Sequence, residues 1–162
     1  MIRLRNFFFL LTVLASPVAA QRQSLGVFGT WASFQNAERC HAVSAPYRGP
    51  QPQEWRPFLA VAHWPGRPGG GQLHARLSRD KRQGSAVLIR IDGRSFQLVG
   101  SGRDAWAPDP RADRDIQTAM RTGIELVVET RSTRGGLVRD HYRLRGAATA
   151  MDAAALGCRP NR

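Results

Sequence analysis

The stretch Ala86–Gly100, AVLIRIDGRSFQLVG, decides the fold. Two apolar runs flank Asp92-Gly93, and that dipeptide suits a two-residue type I′ turn, whose central positions both need positive φ. A two-residue turn sets Ile91 opposite Arg94, Ile89 opposite Phe96 and Val87 opposite Leu98 on one face. The other face carries Arg90 with Ser95, Leu88 with Gln97 and Ala86 with Val99. One side is mainly apolar and the other mainly polar, as in a half-buried antiparallel pair. The hairpin belongs at the centre of a β-rich domain.

Upstream, residues 1–20 read as a secretory signal peptide. Arg3 and Arg5 form a positive n-region, Phe7–Ala15 an apolar h-region, and Val18-Ala19-Ala20 the small residues before a cut. The apolar run is shorter than the ~20 residues that span a bilayer, and no cysteine follows the cut to carry a lipid anchor. Cleavage takes 20 of 162 residues and leaves 142, a suitable length for one domain over 21–162. Arg3 and Arg5 depart with the signal, lowering the formal charge from +12 to +10. Lys81 is the only lysine, so the basic balance is almost entirely arginine.

Cys40 and Cys158 are the only cysteines, and in an exported chain they are expected to form a disulfide. Other strands are expected at Leu25–Phe34, Arg39–Ala45, Phe58–Trp64 and Gln72–Arg79. In the last, Leu73, Ala75 and Leu77 point inward while His74, Arg76 and Ser78 point outward. Residues 46–57 hold four prolines and read as an exposed loop. A second break falls at 65–71.

Beyond Gly100 the period changes. Asp109 caps a helix whose first position is Pro110. Ala112, Ile116, Ala119 and Met120 recur at helical spacing, and Gly123 marks the stop. Ile124–Arg131 and Val138–Arg145 form a last hairpin. Its even register places Ile124, Leu126, Val128, Tyr142 and Leu144 inside with Asp140, and Glu125 near Arg143 and Glu129 near Arg139 outside. Ala147–Leu156 reads as a short helix. Many short strands with one or two small helices make a mainly β, antiparallel sandwich or barrel.

Chemistry is sparse. Gly100-Ser101-Gly102 lacks the G-x-S-x-G pattern of a nucleophile elbow. His41, His63, His74 and His141 have no metal-ligand spacing, and no phosphate loop or dinucleotide fingerprint occurs, so no catalytic residue, metal or cofactor is assigned. His74 and His141 read as solvated, Asp113 and Asp115 as a charged helix face. Trp106, between Asp104 and Asp109, reads as a loop anchored to the core. The candidate site is a basic strand face of Arg139, His141, Arg143 and Arg145 with Arg90 on the central hairpin. Such a surface attracts polyanions. Export argues against nucleic acid and for lipopolysaccharide, anionic phospholipid or an acidic protein partner.

The order and spacing of several short motifs resemble the invasion-associated locus B family of alphaproteobacterial exported proteins. They are Phe28-Gly29-x-Trp31, Cys40 followed by Ala42, Arg90-Ile-Asp-Gly93, Ala119-Met120-Arg121-Thr122-Gly123, and Leu144-Arg145-Gly146-x₃-Ala150-Met151-Asp152-Ala153-Ala154. The resemblance implies an immunoglobulin-like β-sandwich in the periplasm or outer envelope, acting by binding, with host-cell invasion as the founding member's role. It carries over no catalytic residue. Two alternatives stand beside it, a dedicated polyanion binder and a hydrolase with an unrecognised site.

Overall fold

The computed structural model describes residues 22–53, 55–67 and 70–159; the expected signal peptide at 1–20, and Pro68 and Gly69 of the break at 65–71, lie outside them. The fold is mainly β, antiparallel and sandwich-like, with two helices. In chain order the strands are β1 Gln23–Phe28, β2 Trp31–Gln35, β3 Cys40–Ser44, β4 Phe58–His63 and β5 Gln72–Arg76. Next come β6 Val87–Ile91, β7 Arg94–Ser101 and β8 Asp104–Trp106. After helix α1 (Pro110–Thr122) follow β9 Glu125–Arg131, β10 Leu137–Arg143 and helix α2 (Ala147–Gly157). Neighbours run β1-β2-β3-β4-β5-β8-β7-β6-β9-β10. Strand β7 serves both halves of this order, pairing with β6 through Arg94–Leu98 and with β8 through Val99–Ser101.

The central hairpin has the expected register, with Ile91↔Arg94, Ile89↔Phe96 and Val87↔Leu98. Asp92 and Gly93 take φ of +44° and +86°, as the type I′ turn requires. The Asp92 carboxylate also accepts the Ile124 N–H at 2.9 Å, pinning the turn to the start of β9. Val87, Ile89 and Ile91 are buried, and Leu98 joins them. Phe96 is half-buried and packs against the rim of this core.

Both helices form where expected. Asp109 accepts the Arg111 and Ala112 N–H groups, each at 2.8 Å, satisfying two otherwise unpaired donors of the first turn. Ile116, Ala119 and Met120 face the core. Helix α2 lies on β1–β3, buries Ala147, Ala150, Met151 and Ala154, and ends in the Cys40–Cys158 disulfide. The cross-link spans 118 residues with 5.6 Å between Cα atoms. Closing so long a loop in the unfolded chain is worth roughly 4–5 kcal/mol.

Several expectations need correction. Leu25–Phe34 is two strands, because Gly29, at φ +61°, turns the chain and sets Phe28 opposite Trp31. Trp106 sits on a strand, paired with His74 across β5–β8, and its neighbours Ala105 and Ala107 enter the core in its place. His74 is accordingly half-buried: it stacks on Trp106 with ring centroids 5.1 Å apart and meets Asp104 at 2.8 Å. Ser78 is buried, because β5 stops at Arg76 and the alternation lapses; its N–H donates to Asp140 at 2.9 Å. Asp113 is buried too and accepts the Leu73 N–H at 2.7 Å, while Gln117 donates to the Gly71 carbonyl at 2.6 Å. These two side chains fasten α1 to the start of β5. Ile124 is exposed, standing one residue before β9.

Burial separates the two members of the Ile89–Phe96 pair. Ile89→Ala should lower stability by roughly 2–5 kcal/mol, the range for truncating a buried aliphatic side chain. Phe96→Ala removes a side chain only partly withdrawn from water and should cost ~1–2 kcal/mol. Equilibrium denaturation of both variants checks this, and an equal loss at both positions would contradict the observed burial.

Candidate functional site

The last hairpin supplies the scaffold. Its even register is the observed one, with Arg143↔Glu125, His141↔Val127 and Arg139↔Glu129. Leu126, Val128, Tyr142 and Asp140 point inward. Alternation therefore sends Arg139, His141 and Arg143 to the outer face. On the other side of β9, β6 places Arg90 opposite Val127 and Leu88 opposite Glu129. Four of the five expected residues, Arg90, Arg139, His141 and Arg143, thus share one sheet face. Arg145 is exposed but lies past the end of β10, its stem beside the Gly29 turn, and stands apart from them.

The proline-rich loop completes the cluster. Tyr47 N–H donates to the His141 carbonyl and His141 N–H to the Arg48 carbonyl, both at 2.8 Å. This short bridge covers the free edge of β10. It also brings two side chains to the face. The Arg143 guanidinium lies 4.8 Å from the centre of the Tyr47 ring, a cation–π contact. Tyr47 donates its hydroxyl to Glu125 Oε1 at 2.6 Å.

His141 is not solvated as expected, its side chain being only 13 % exposed. Nδ1 lies 2.8 Å from Glu125 Oε1, and the Arg48 guanidinium approaches both ring nitrogens, Nδ1 at 3.0 Å and Nε2 at 3.2 Å. Glu125 is thereby drawn to Tyr47 and His141 rather than to Arg143, its cross-strand neighbour. Hydrogen bonds from Tyr47 and then His141 hold its carboxyl below the usual range.

Glu129 is shared: Arg139 approaches its carboxylate to 2.7 Å and Arg90 to 3.7 Å. Among the described residues, neither Arg48 nor Arg143 has a carboxylate within ion-pair distance. Four guanidinium groups therefore face two carboxylates. The guanidinium partners of Glu129 are themselves half exposed, 54 % for Arg139 and 52 % for Arg90, so the excess positive charge stays open to an external anion. Between Arg48, Arg90, Arg139 and His141 the surface dips into a shallow depression floored by Val127.

Tyr47 and Arg48 were invisible to local pattern, because their place on the face depends on a bridge to a strand 93 residues away. The only local hint was an aromatic–cation pair inside a loop otherwise rich in proline.

The tyrosines offer a direct check on this network. Hydrogen bonding to Glu125, with burial and the carboxylate charge, raises Tyr47 above the ordinary phenol value. Tyr142, buried, is raised much further. Absorbance titration should thus show Tyr47 ionising first, and Glu125→Gln should shift that midpoint downward because the phenolate no longer meets a carboxylate. An unmoved midpoint would mean the hydroxyl does not bind Glu125 in solution. Comparison with protein-family models, curated proteins and solved structures finds no match for this chain.

Proposed function

We propose that the protein is exported and non-enzymatic, and acts in the periplasm or outer envelope by binding an anionic envelope component on the β10–β9–β6 arginine face. The observation that carries the reading is the excess of guanidinium over carboxylate on that face, with Arg48 and Arg143 held in place by His141 and Tyr47 rather than by acids. Lipopolysaccharide and anionic phospholipid suit it, since both present closely spaced phosphates that match the planar fork of arginine.

The resemblance to the invasion-associated locus B family, and with it contact with host cells, belongs to the same proposal. Its first and last motifs meet in the fold, where Thr30 N–H donates to the Arg145 carbonyl at 3.2 Å and a Cβ at Gly146 would overlap the Phe28 carbonyl.

The hydrolase alternative draws on the His74–Asp104 contact at 2.8 Å. Asp104 also takes Arg76 at 3.1 Å, and burial, which would raise its pKa, is outweighed by hydrogen bonds from Arg76 and His74. The adjoining groove is lined by rings, small aliphatic side chains, arginines and the Gln72 amide, with no hydroxyl, thiol or carboxyl among the described residues that line it. That composition favours holding a ligand over attacking one.

Co-sedimentation of the mature protein with vesicles containing phosphatidylglycerol, and with lipopolysaccharide, tests the reading. Binding should weaken steadily as salt rises to physiological strength, where the Debye length is about 8 Å. Arg90→Gln with Arg139→Gln should weaken it roughly tenfold or more, at about 1 kcal/mol per charge near an anionic surface. Glu129→Gln should strengthen it. Binding indifferent to salt and to all three changes would remove the arginine face from the account.

A further inference from the structure

We propose a second binding site on the outer face of β3, β4, β5 and β8, for a small ligand whose planar ring carries a carboxylate or phosphate. The argument starts from β4, Phe58–His63, FLAVAH. A strand with one solvated face should alternate apolar and polar residues, whereas an uninterrupted apolar run marks a strand covered on both sides. Leu59 and Val61 face the core, so Phe58, Ala60 and Ala62 face outward. Among the described residues no helix or strand covers them. What stands there is a groove of about 620 Å³, within the size range of small-molecule sites, ~300–1,000 Å³.

Register explains its shape. Ala62 lies between His41 of β3 and Gln72 of β5, and Ala60 between Val43 and His74. The two alanines are the floor; they are only 8 % and 7 % exposed because larger side chains stand on either side. One wall is built of rings: His74 lies parallel to Trp106 at 5.1 Å and 8°, and Phe58 meets His74 edge-on at 5.1 Å. Across the floor, Phe34 and His41 form the opposite wall, their centroids 5.8 Å apart. Strands β3 and β5 are separated by two inter-strand spacings, ~10 Å, enough for one flat ring to lie between the walls.

Charge selects the ligand's substituent. Arg22, Arg39 and Arg76 line the groove. Arg76 lies over Phe58 at 5.7 Å and Arg22 over Phe34 at 5.5 Å, so each wall carries a guanidinium. The nearby acid, Asp104, is already held by His74 and Arg76. Burial, with Arg39 and Arg22 close by, pushes His41 below its ordinary pKa, which keeps its ring a neutral flat surface in a positive field. Arg76 is spent on Asp104, but among the described residues Arg22 and Arg39 have no carboxylate within ion-pair distance, and stacking surfaces beside these two cations fit a ring bearing an anion.

Fluorescence titration with 1-anilinonaphthalene-8-sulfonate, and with its uncharged relative N-phenyl-1-naphthylamine, tests this site. The sulfonate should bind one equivalent saturably, and the neutral ring at least tenfold more weakly. Ala62→Leu, which fills the floor, should abolish sulfonate binding. Arg39→Gln should weaken it about tenfold, the scale of one charge-assisted hydrogen bond, while Arg139→Gln on the other face should leave it unchanged. Adenosine monophosphate and indole-3-carboxylate, used as competitors, separate a phosphate from a carboxylate ligand, according to which displaces the probe. The proposal is overturned if Ala62→Leu binds normally, if the neutral ring binds as tightly, or if neither competitor displaces the sulfonate. Because Arg139→Gln belongs to the arginine face, failure here and failure there are distinguishable.

Discussion

Everything in this fold hangs on one close approach, where the β1–β2 turn docks against the chain leaving β10. A Cβ at Gly146 would overlap the Phe28 carbonyl, and one at Gly29 would come within 2.6 Å of the Arg145 carbonyl. Two glycines let the backbones meet. Around them Thr30 Oγ1–H and the Trp31 indole N–H both donate to the Arg143 carbonyl, at 3.0 and 2.9 Å. Trp31 is fully buried while doing so. The contact joins β1 and β10, the two ends of the strand order. From Gly146 the chain turns directly into α2, whose far end is fastened to β3 by the disulfide. The glycine contact therefore fastens one end of α2 to the sheet and the disulfide fastens the other.

That closure matters for both candidate faces. It fixes β10, so the row of Arg139, His141 and Arg143 keeps its register against the acids of β9, and the Tyr47–Arg48 bridge has a rigid edge to sit on. It also fixes β2 and β3, which carry Phe34 and His41. The two faces differ in physical character. The arginine face is shallow and sets four guanidinium groups against two acids, which suits a repeating anion read at long range. The ring-walled groove sets its arginines around flat aromatic walls, which suits one small molecule read at contact distance.

Much of this was legible in the chain wherever the signal was local. The Asp92-Gly93 turn, the Asp109 cap and the even register of the last hairpin each follow from spacing over a few residues. The disulfide followed from there being two cysteines to pair. Non-local pairing hid the rest. Nothing within LGVFGTWASF distinguishes a long strand from two strands folded at Gly29, because the Arg145 backbone that occupies the turn is over a hundred residues away. Asp113 has the look of a solvated acid until β5 supplies the Leu73 N–H. Trp106 and His74 are unremarkable alone and become a wall only when β8 pairs with β5. The arginines of the candidate face were readable as a period-two pattern; the loop that organises them was not.

The closure can be isolated from ordinary backbone strain by comparing two glycines. Gly146 and Gly135 have similar positive φ, +91° and +84°, but Gly135 has open space where a Cβ would go. Equilibrium unfolding of Gly135→Ala should show a loss of about 1–2 kcal/mol, the left-handed penalty alone. Gly146→Ala should lose at least a further ~1–3 kcal/mol from overpacking against Phe28. Equal losses at the two positions would contradict the claim that this junction closes the fold.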